Sequence, residues 1–191
     1  MSNIKILNTE ILSNNWYTLK KVTYEILQKG EVLVQNREAY DRGNGATILL
    51  YDKEKQSVIL TRQFRMPTFI NGNASGYLIE ACAGLLDTDN AEDCIRRETE
   101  EETGFKITHV EKIFEAYMSP GSVTEILYFF VAEYTKEMKV TEGGGLEEES
   151  ENIEVLELPF TEALGMIKTG EIMDAKTIML LQYAALNNLL G

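Results

Sequence analysis

The sequence predicts an α+β fold: a mixed central β-sheet between helices, preceded by an N-terminal antiparallel β-module. Three observations predict it. Short alternating strands with turn residues between them fill the first sixty positions. Helical periodicity begins near residue 90 and returns near the C-terminus. Strands and helices are mixed without the regular alternation of a parallel βαβ sheet.

The elements follow in order. Trp16, Tyr17, Thr18 and Leu19 lead into a strand over residues 22–27. Lys29, Gly30 and Glu31 form a turn, and residues 32–34 return. Residues 40–45, with Gly43 and Gly45, read as a joint, dividing the chain into an N-terminal β-module, 1–42, and a main domain, 43–191. Residues 46–51 and 57–62 form a hairpin. Residues 66–76, with Pro67, Gly72 and Gly76, read as a loop or lid. One strand is expected over 77–83, a helix over 90–103, and strands near 110–117, 125–134 and 153–158. The helix start is capped by Asp89 or Asn90, and Gly104 ends it. Two helices close the chain. Thr161 is the expected N-cap of the first and Gly170 its stop; Asp174 caps the second, which runs to about Asn187.

Composition narrows the function. A formal charge of −13 repels polymeric nucleic acid, so no DNA or RNA partner is expected. Phosphate chemistry on so acidic a chain needs a metal ion between carboxylate and phosphate. His109, the single histidine, has no serine or cysteine partner, which argues against a histidine-based triad. Cys82 and Cys94 lack metal-site spacing and read as buried reduced thiols. The first residues lack the pattern of a signal peptide, and no apolar run is long enough to span a membrane. A cytoplasmic protein without a membrane partner is expected.

The informative stretch is the helix over 90–103. At about 100° per residue, Ala91, Cys94 and Ile95 share one stripe, which must face the core. The stripe continues into Glu98, Glu101 and Glu102, while Glu92, Asp93, Arg96, Arg97 and Glu100 supply the solvent side. Three carboxylates would thus crowd partly desolvated space at a helix C-terminus, where the macrodipole is already negative. A divalent cation turns that repulsion into coordination, and hard oxygen ligands favour Mg2+, with Mn2+ as the alternative.

The run from Arg97 to Phe105, R-E-T-E-E-E-T-G-F, resembles the second half of the Nudix box, and Gly84 resembles the glycine that opens it. Three departures stand out. The interval from Gly84 to Arg97 is one residue short, Asn90 stands where the first glutamate belongs, and Thr99 replaces an aliphatic residue. The resemblance implies the Nudix α/β/α sandwich. It also implies metal ligation by Glu98, Glu102, Glu151 and the Ala83 carbonyl, with Glu101, Glu102 and Glu151 as catalytic groups. Glu149 is the second match to Glu151 in the acidic loop, and the general base is left among Glu101, Glu149 and Glu151. Arg97 would anchor the helix by a salt bridge.

Segments 40–51, 62–65, 117–121, 154–160 and 166–172 extend the resemblance to the GDP-mannose hydrolase subgroup, close to the ADP-ribose pyrophosphatases, over nearly the whole chain. That implies hydrolysis of a nucleotide sugar, GDP-mannose giving GMP and mannose 1-phosphate, by a homodimer whose N-terminal strands reach across to the partner. Substrate contacts would come from Trp16, Tyr17, Arg37, Glu38, Arg65, Ala83, Gly84, Leu85, Glu125 and Lys176. ADP-ribose hydrolysis is the alternative within the class, and a non-catalytic nucleotide-sugar sensor the alternative outside it.

Overall fold

The computed structural model describes residues 3–86, 90–146 and 151–191. The alternative cap Asp89 and the alternative base Glu149 lie outside them. The chain divides into two units: residues 3–44 with Tyr117–Ile126, and Gly45–Ala116 with Leu127–Gly191.

The first unit is a three-stranded antiparallel sheet in the order β1 (Ile4–Asn14), β2 (Thr18–Gln28), β3 (Glu31–Asp41). Lys29 and Gly30 both take positive φ, the geometry that lets a two-residue turn follow strand twist. Trp16 and Tyr17 form the bend that leads into β2, which begins at Thr18, ahead of the expected 22. The 117–126 segment adds a short parallel bridge, in which Tyr40 N donates to Ser122 O at 2.7 Å and Thr124 N to Tyr40 O at 3.1 Å.

The second unit is built on β4 (Gly45–Asp52), β5 (Ser57–Phe64), β6 (Tyr77–Glu80), β7 (Cys82–Leu85), β8 (Glu111–Tyr117), β9 (Ile126–Glu133) and β10 (Glu154–Pro159). The path is β10-β5-β4-β9-β8, with β6 on β5 and β7 on β4. The β4–β9 pair is parallel, while β10–β5, β4–β5, β4–β7 and β5–β6 are antiparallel. All eight residues of β4 are buried, as covering both sheet faces requires. On one face Ala46, Ile48, Leu50, Phe130 and Ala132 pack with Cys94 and Ile95 of α2 (Ala91–Thr103). On the other, the Phe114 ring lies 4.5 Å from Phe129 and 5.9 Å from Tyr183 of α4 (Ala175–Leu186). The remaining helices are α1 (Met66–Ile70) and α3 (Phe160–Thr169).

Three expectations are corrected. The 66–76 loop contains α1, because Pro67 sits in the first helical turn, where its missing N–H costs nothing. The N-cap of α3 is Pro159, not Thr161. The single strand over 77–83 is two. β4 and β5 pair only near their turn, from Leu50–Ile59 to Asp52–Ser57, and beyond that they part. The 77–85 stretch fills the opening, first on β5 as β6 and then on β4 as β7. At the changeover Ala81 N donates to Thr177 Oγ1 at 2.6 Å, so α4 satisfies the backbone group that the strand switch leaves over.

Candidate functional site

The α2 helix begins as its sequence dictates. Asn90 Oδ1 accepts from Glu92 N at 3.1 Å and Asp93 N at 3.0 Å. The residue at the position of the family's first glutamate therefore works as the helix cap. Gly104 ends the helix in the left-handed conformation. Thr99 is fully buried, a correction to the expected inward stripe. Its hydroxyl donates to Ile95 O at 2.6 Å, so the core receives a methyl group and no orphaned polar atom.

Glu102 is the most extreme member of the acidic set, with 1 % of its surface exposed. Among the described residues its Oε2 has no hydrogen-bond partner. Burial pushes its pKa up to about 8, helped by the negative charge of Glu98 and Glu151 and opposed by the Cys82 thiol and Arg65. Glu98 lies against Gly84: a Cβ there would come within 2.1 Å of the Glu98 carboxyl carbon, so only glycine leaves the carboxylate this place. Arg97 Nη1 stands 3.0 Å from Glu98 Oε1 and donates to Glu101 Oε2 at 2.9 Å. Burial alone would lower the Arg97 pKa, but the charges of Glu98 and Glu101 carry it above its usual value.

Glu151 reaches the set through the glycine run. Gly143, Gly144 and Gly145 all take positive φ. Gly144 N donates to Glu102 O at 2.9 Å and Gly145 N to Glu101 O at 3.1 Å, covering carbonyls that the helix end leaves open. Glu151 Oε2 then accepts from Leu146 N at 3.1 Å. On the opposite wall β7 lays Ala83, Gly84 and Leu85 against Thr47, Ala46 and Gly45.

A second charged cluster adjoins this one. Arg65 donates from Nε to Glu80 Oε1 at 2.9 Å and from Nη2 to Glu80 Oε2 at 2.8 Å. Lys176 Nζ donates to the same Oε2 at 2.8 Å and lies 3.1 Å from Asp174 Oδ2. Glu80 is 2 % exposed. Burial would raise its pKa, but the Arg65 hydrogen bonds and the charges of Lys176 and Arg65 outweigh it and bring the value down to about 2. Arg65 also lies within electrostatic reach of Glu102.

The other expected substrate contacts belong to the first unit. Trp16 is 84 % exposed, and its ring meets Tyr17 edge-on with centroids 6.4 Å apart. The Arg42 guanidinium lies over Tyr17, 5.5 Å from the ring centre, and Arg42 Nε is 3.6 Å from Glu125. Arg37 and Glu38 stand exposed on β3, and Arg37 Nη1 donates to Asn36 O at 2.7 Å.

A buried carboxylate oxygen without a partner among the described residues, beside further glutamates, fits a hard divalent cation. Among the described residues no three acidic, thiol or imidazole groups already converge on one point. Arg97 engages Glu98 and Glu101 instead.

Comparison with known families decides the class. A model of the NUDIX domain matches residues 41–181, and a model of the GDP-mannose pyrophosphatase NudK N-terminal domain matches residues 3–40. The chain belongs to the NUDIX family. Proteins named GDP-mannose pyrophosphatase resemble it over nearly their whole length. That of Enterobacter sp. (strain 638) is 57 % identical over 189 residues, 98 % of each chain. That of Shigella flexneri serotype 5b is 56 % identical over 188 residues, 98 % of this chain and 97 % of the relative. That of Citrobacter koseri is 57 % identical over 181 residues, 94 % of each. NUDIX hydrolases generally use divalent metal ions. Among the described residues no helix is long and apolar enough to cross a membrane.

Sequence reasoning missed Glu80, the docking role of the glycine run, and Cys82 beside Glu102. A lone carboxylate inside the apolar run 77–82 was the signal for Glu80.

The Glu80 cluster makes an acid-side prediction. Its native pKa lies below the ordinary value of 4.5, so its stabilisation is present above about pH 4.5 and lost as pH falls through about 2. Urea unfolding followed from pH 5 to pH 2 should show this slope in the wild type and a much shallower one in Glu80→Gln. Equal slopes would refute the assignment.

Proposed function

We propose that this chain hydrolyses GDP-mannose with water to GMP and mannose 1-phosphate, using Mg2+ or in its place Mn2+. The supporting observation is the pairing of a buried Glu102 oxygen, unpartnered among the described residues, with near-full-length likeness to GDP-mannose pyrophosphatases. Glu98, Glu102, Glu151 and the Ala83 carbonyl would hold the cation. When bound, the cation supplies charge neutralisation at the diphosphate.

The protein's own groups do the rest. Gly84 keeps the space into which Glu98 folds. The attacking water gives its proton to Glu101 or Glu151. Arg65 faces the diphosphate, Lys176 adds positive charge from its place between Glu80 and Asp174, and Gly84 and Leu85 present the β7 backbone to the substrate. Trp16 and Tyr17 offer aromatic faces to the base, and Arg37, Glu38 and Glu125 contact the nucleotide sugar.

The partner we assign is a second copy of the chain. β1 exposes Ile4, Ile6, Ile11 and Leu12, and an edge strand so apolar invites cover. We place the enzyme in the cytoplasm, where the free thiols of Cys82 and Cys94 stay reduced. Sedimentation of the intact chain should give twice its 21.6 kDa mass, and a monomer at micromolar concentration would reject the dimer.

The direct test is release of GMP from GDP-mannose in Mg2+, run beside ADP-ribose. Faster turnover of GDP-mannose, abolished by EDTA, is expected. Glu102→Gln should lower kcat by at least about a hundredfold with the fold retained, in the range seen when electrostatic groups are removed from active sites. Near-normal turnover would remove Glu102 from the chemistry, and preference for ADP-ribose would overturn the substrate.

A further inference from the structure

Glu80 has the surroundings of a group that serves another residue. Its carboxylate is shut away from water and accepts both hydrogen bonds of the Arg65 fork together with that of Lys176. Buried ion clusters contribute little net stability compared with apolar packing, so stability alone does not account for this one. What it supplies is orientation. The Arg65 backbone is already pinned: its N–H donates to Gly76 O at 2.7 Å, and its carbonyl accepts from Thr68 N at 3.0 Å and Thr68 Oγ1 at 2.9 Å. With Nε and Nη2 taken by Glu80, the remaining Nη1 edge makes no hydrogen bond among the described residues, and the side chain is still 40 % exposed. Lys176, by contrast, is only 13 % exposed, with its ammonium between Glu80 and Asp174.

Formal charges over Arg65, Lys176, Glu80 and Asp174 cancel. The cluster therefore offers an anion little long-range attraction. What it can offer is one guanidinium edge in a fixed direction, beside the carboxylate of Glu102. A planar fork held this way is suited to a phosphate oxygen, and fixing it beforehand removes ordering cost from binding.

We propose that Glu80 is a positioning residue for diphosphate recognition, holding the Arg65 guanidinium so that its open Nη1 edge meets a diphosphate oxygen. This rests on the nucleotide-sugar reading above and adds to it a residue that touches no substrate. The ligand class is a diphosphate or pyrophosphate group, and the contribution is geometric. Loss of alignment should therefore weaken binding even where the negative charge is kept.

The probe is inorganic pyrophosphate, titrated by calorimetry into the full-length protein in saturating Mg2+. The wild type should bind, and Glu80→Gln and Glu80→Asp should each bind at least about tenfold more weakly. The aspartate variant keeps the charge and one hydrogen-bonding group, so it remains informative should the glutamine variant fail to fold. Arg65→Lys should lose a similar factor, and the double variant Arg65→Lys/Glu80→Gln should bind no more weakly than Arg65→Lys alone, since Glu80 acts through Arg65. Tyr134→Phe, which removes a buried hydroxyl shared by Ser57 and Glu157 outside this cluster, should lower the melting temperature and leave pyrophosphate affinity unchanged. Wild-type affinity in a folded Glu80 variant, additive losses in the double variant, or no pyrophosphate binding by the wild type would each overturn the proposal. A wild type that shows the Glu80 dependence yet cleaves no nucleoside diphosphate sugar would sink the substrate reading and leave the role of Glu80 standing.

Discussion

The structure is organised around a carboxylate buried where burial is costly. Glu102 sits in the last turn of α2, among Glu98, Glu151 and the negative end of the helix, with one oxygen unpaired among the described residues. The protein holds it there by a rigid frame on every side. Cys94 and Ile95 fix the helix to the sheet, and Gly144 and Gly145 bind the carbonyls of Glu102 and Glu101. Gly84 makes the opposing strand thin enough for Glu98 to lie against it. A raised native pKa means that the share of stability tied to the neutral carboxyl is present at acid pH and lost as pH rises through about 8. Deprotonation near neutrality thus needs a compensating positive charge, which is the physical basis for a divalent ion at this place.

Two charged systems divide the work beside that frame. Arg97 offsets Glu98 and Glu101 on the helix itself. The Arg65–Glu80–Lys176–Asp174 cluster ties the end of β5 to the end of β6 and the start of α4. It stands where the chain leaves β5 for β4, the same switch that brings Ala83 and Gly84 to the acidic wall. Strand topology and electrostatics therefore meet at one point of the fold.

Much of this could be read from the sequence. The 3.6-residue period placed Cys94, Ile95 and Glu102 on the buried side of α2, and Asn90, Gly104, Gly170 and Asp174 stand at helix ends as their side chains and φ preferences require. Thr99 escaped because its polarity is cancelled by its own helix, which no wheel displays. The break at Ala81 escaped because an unbroken apolar run carries no mark of where a strand changes neighbours, and the orphaned N–H is met by Thr177, 96 residues away. Glu80 escaped for the same reason: its partners come from elsewhere in the chain, and only folding brings them to it. Pro67 pointed to a loop although the same ring suits a helix start. The NUDIX resemblance supplied the substrate class, which periodicity alone does not contain.

The most direct measurement is the protonation of Glu102 itself. In metal-free protein with 13C-labelled glutamate, the Glu102 carboxyl resonance should titrate with a midpoint near pH 8, and saturating Mg2+ should leave it ionised at pH 7. A midpoint near the ordinary 4.5, unmoved by Mg2+, would contradict the account at its foundation.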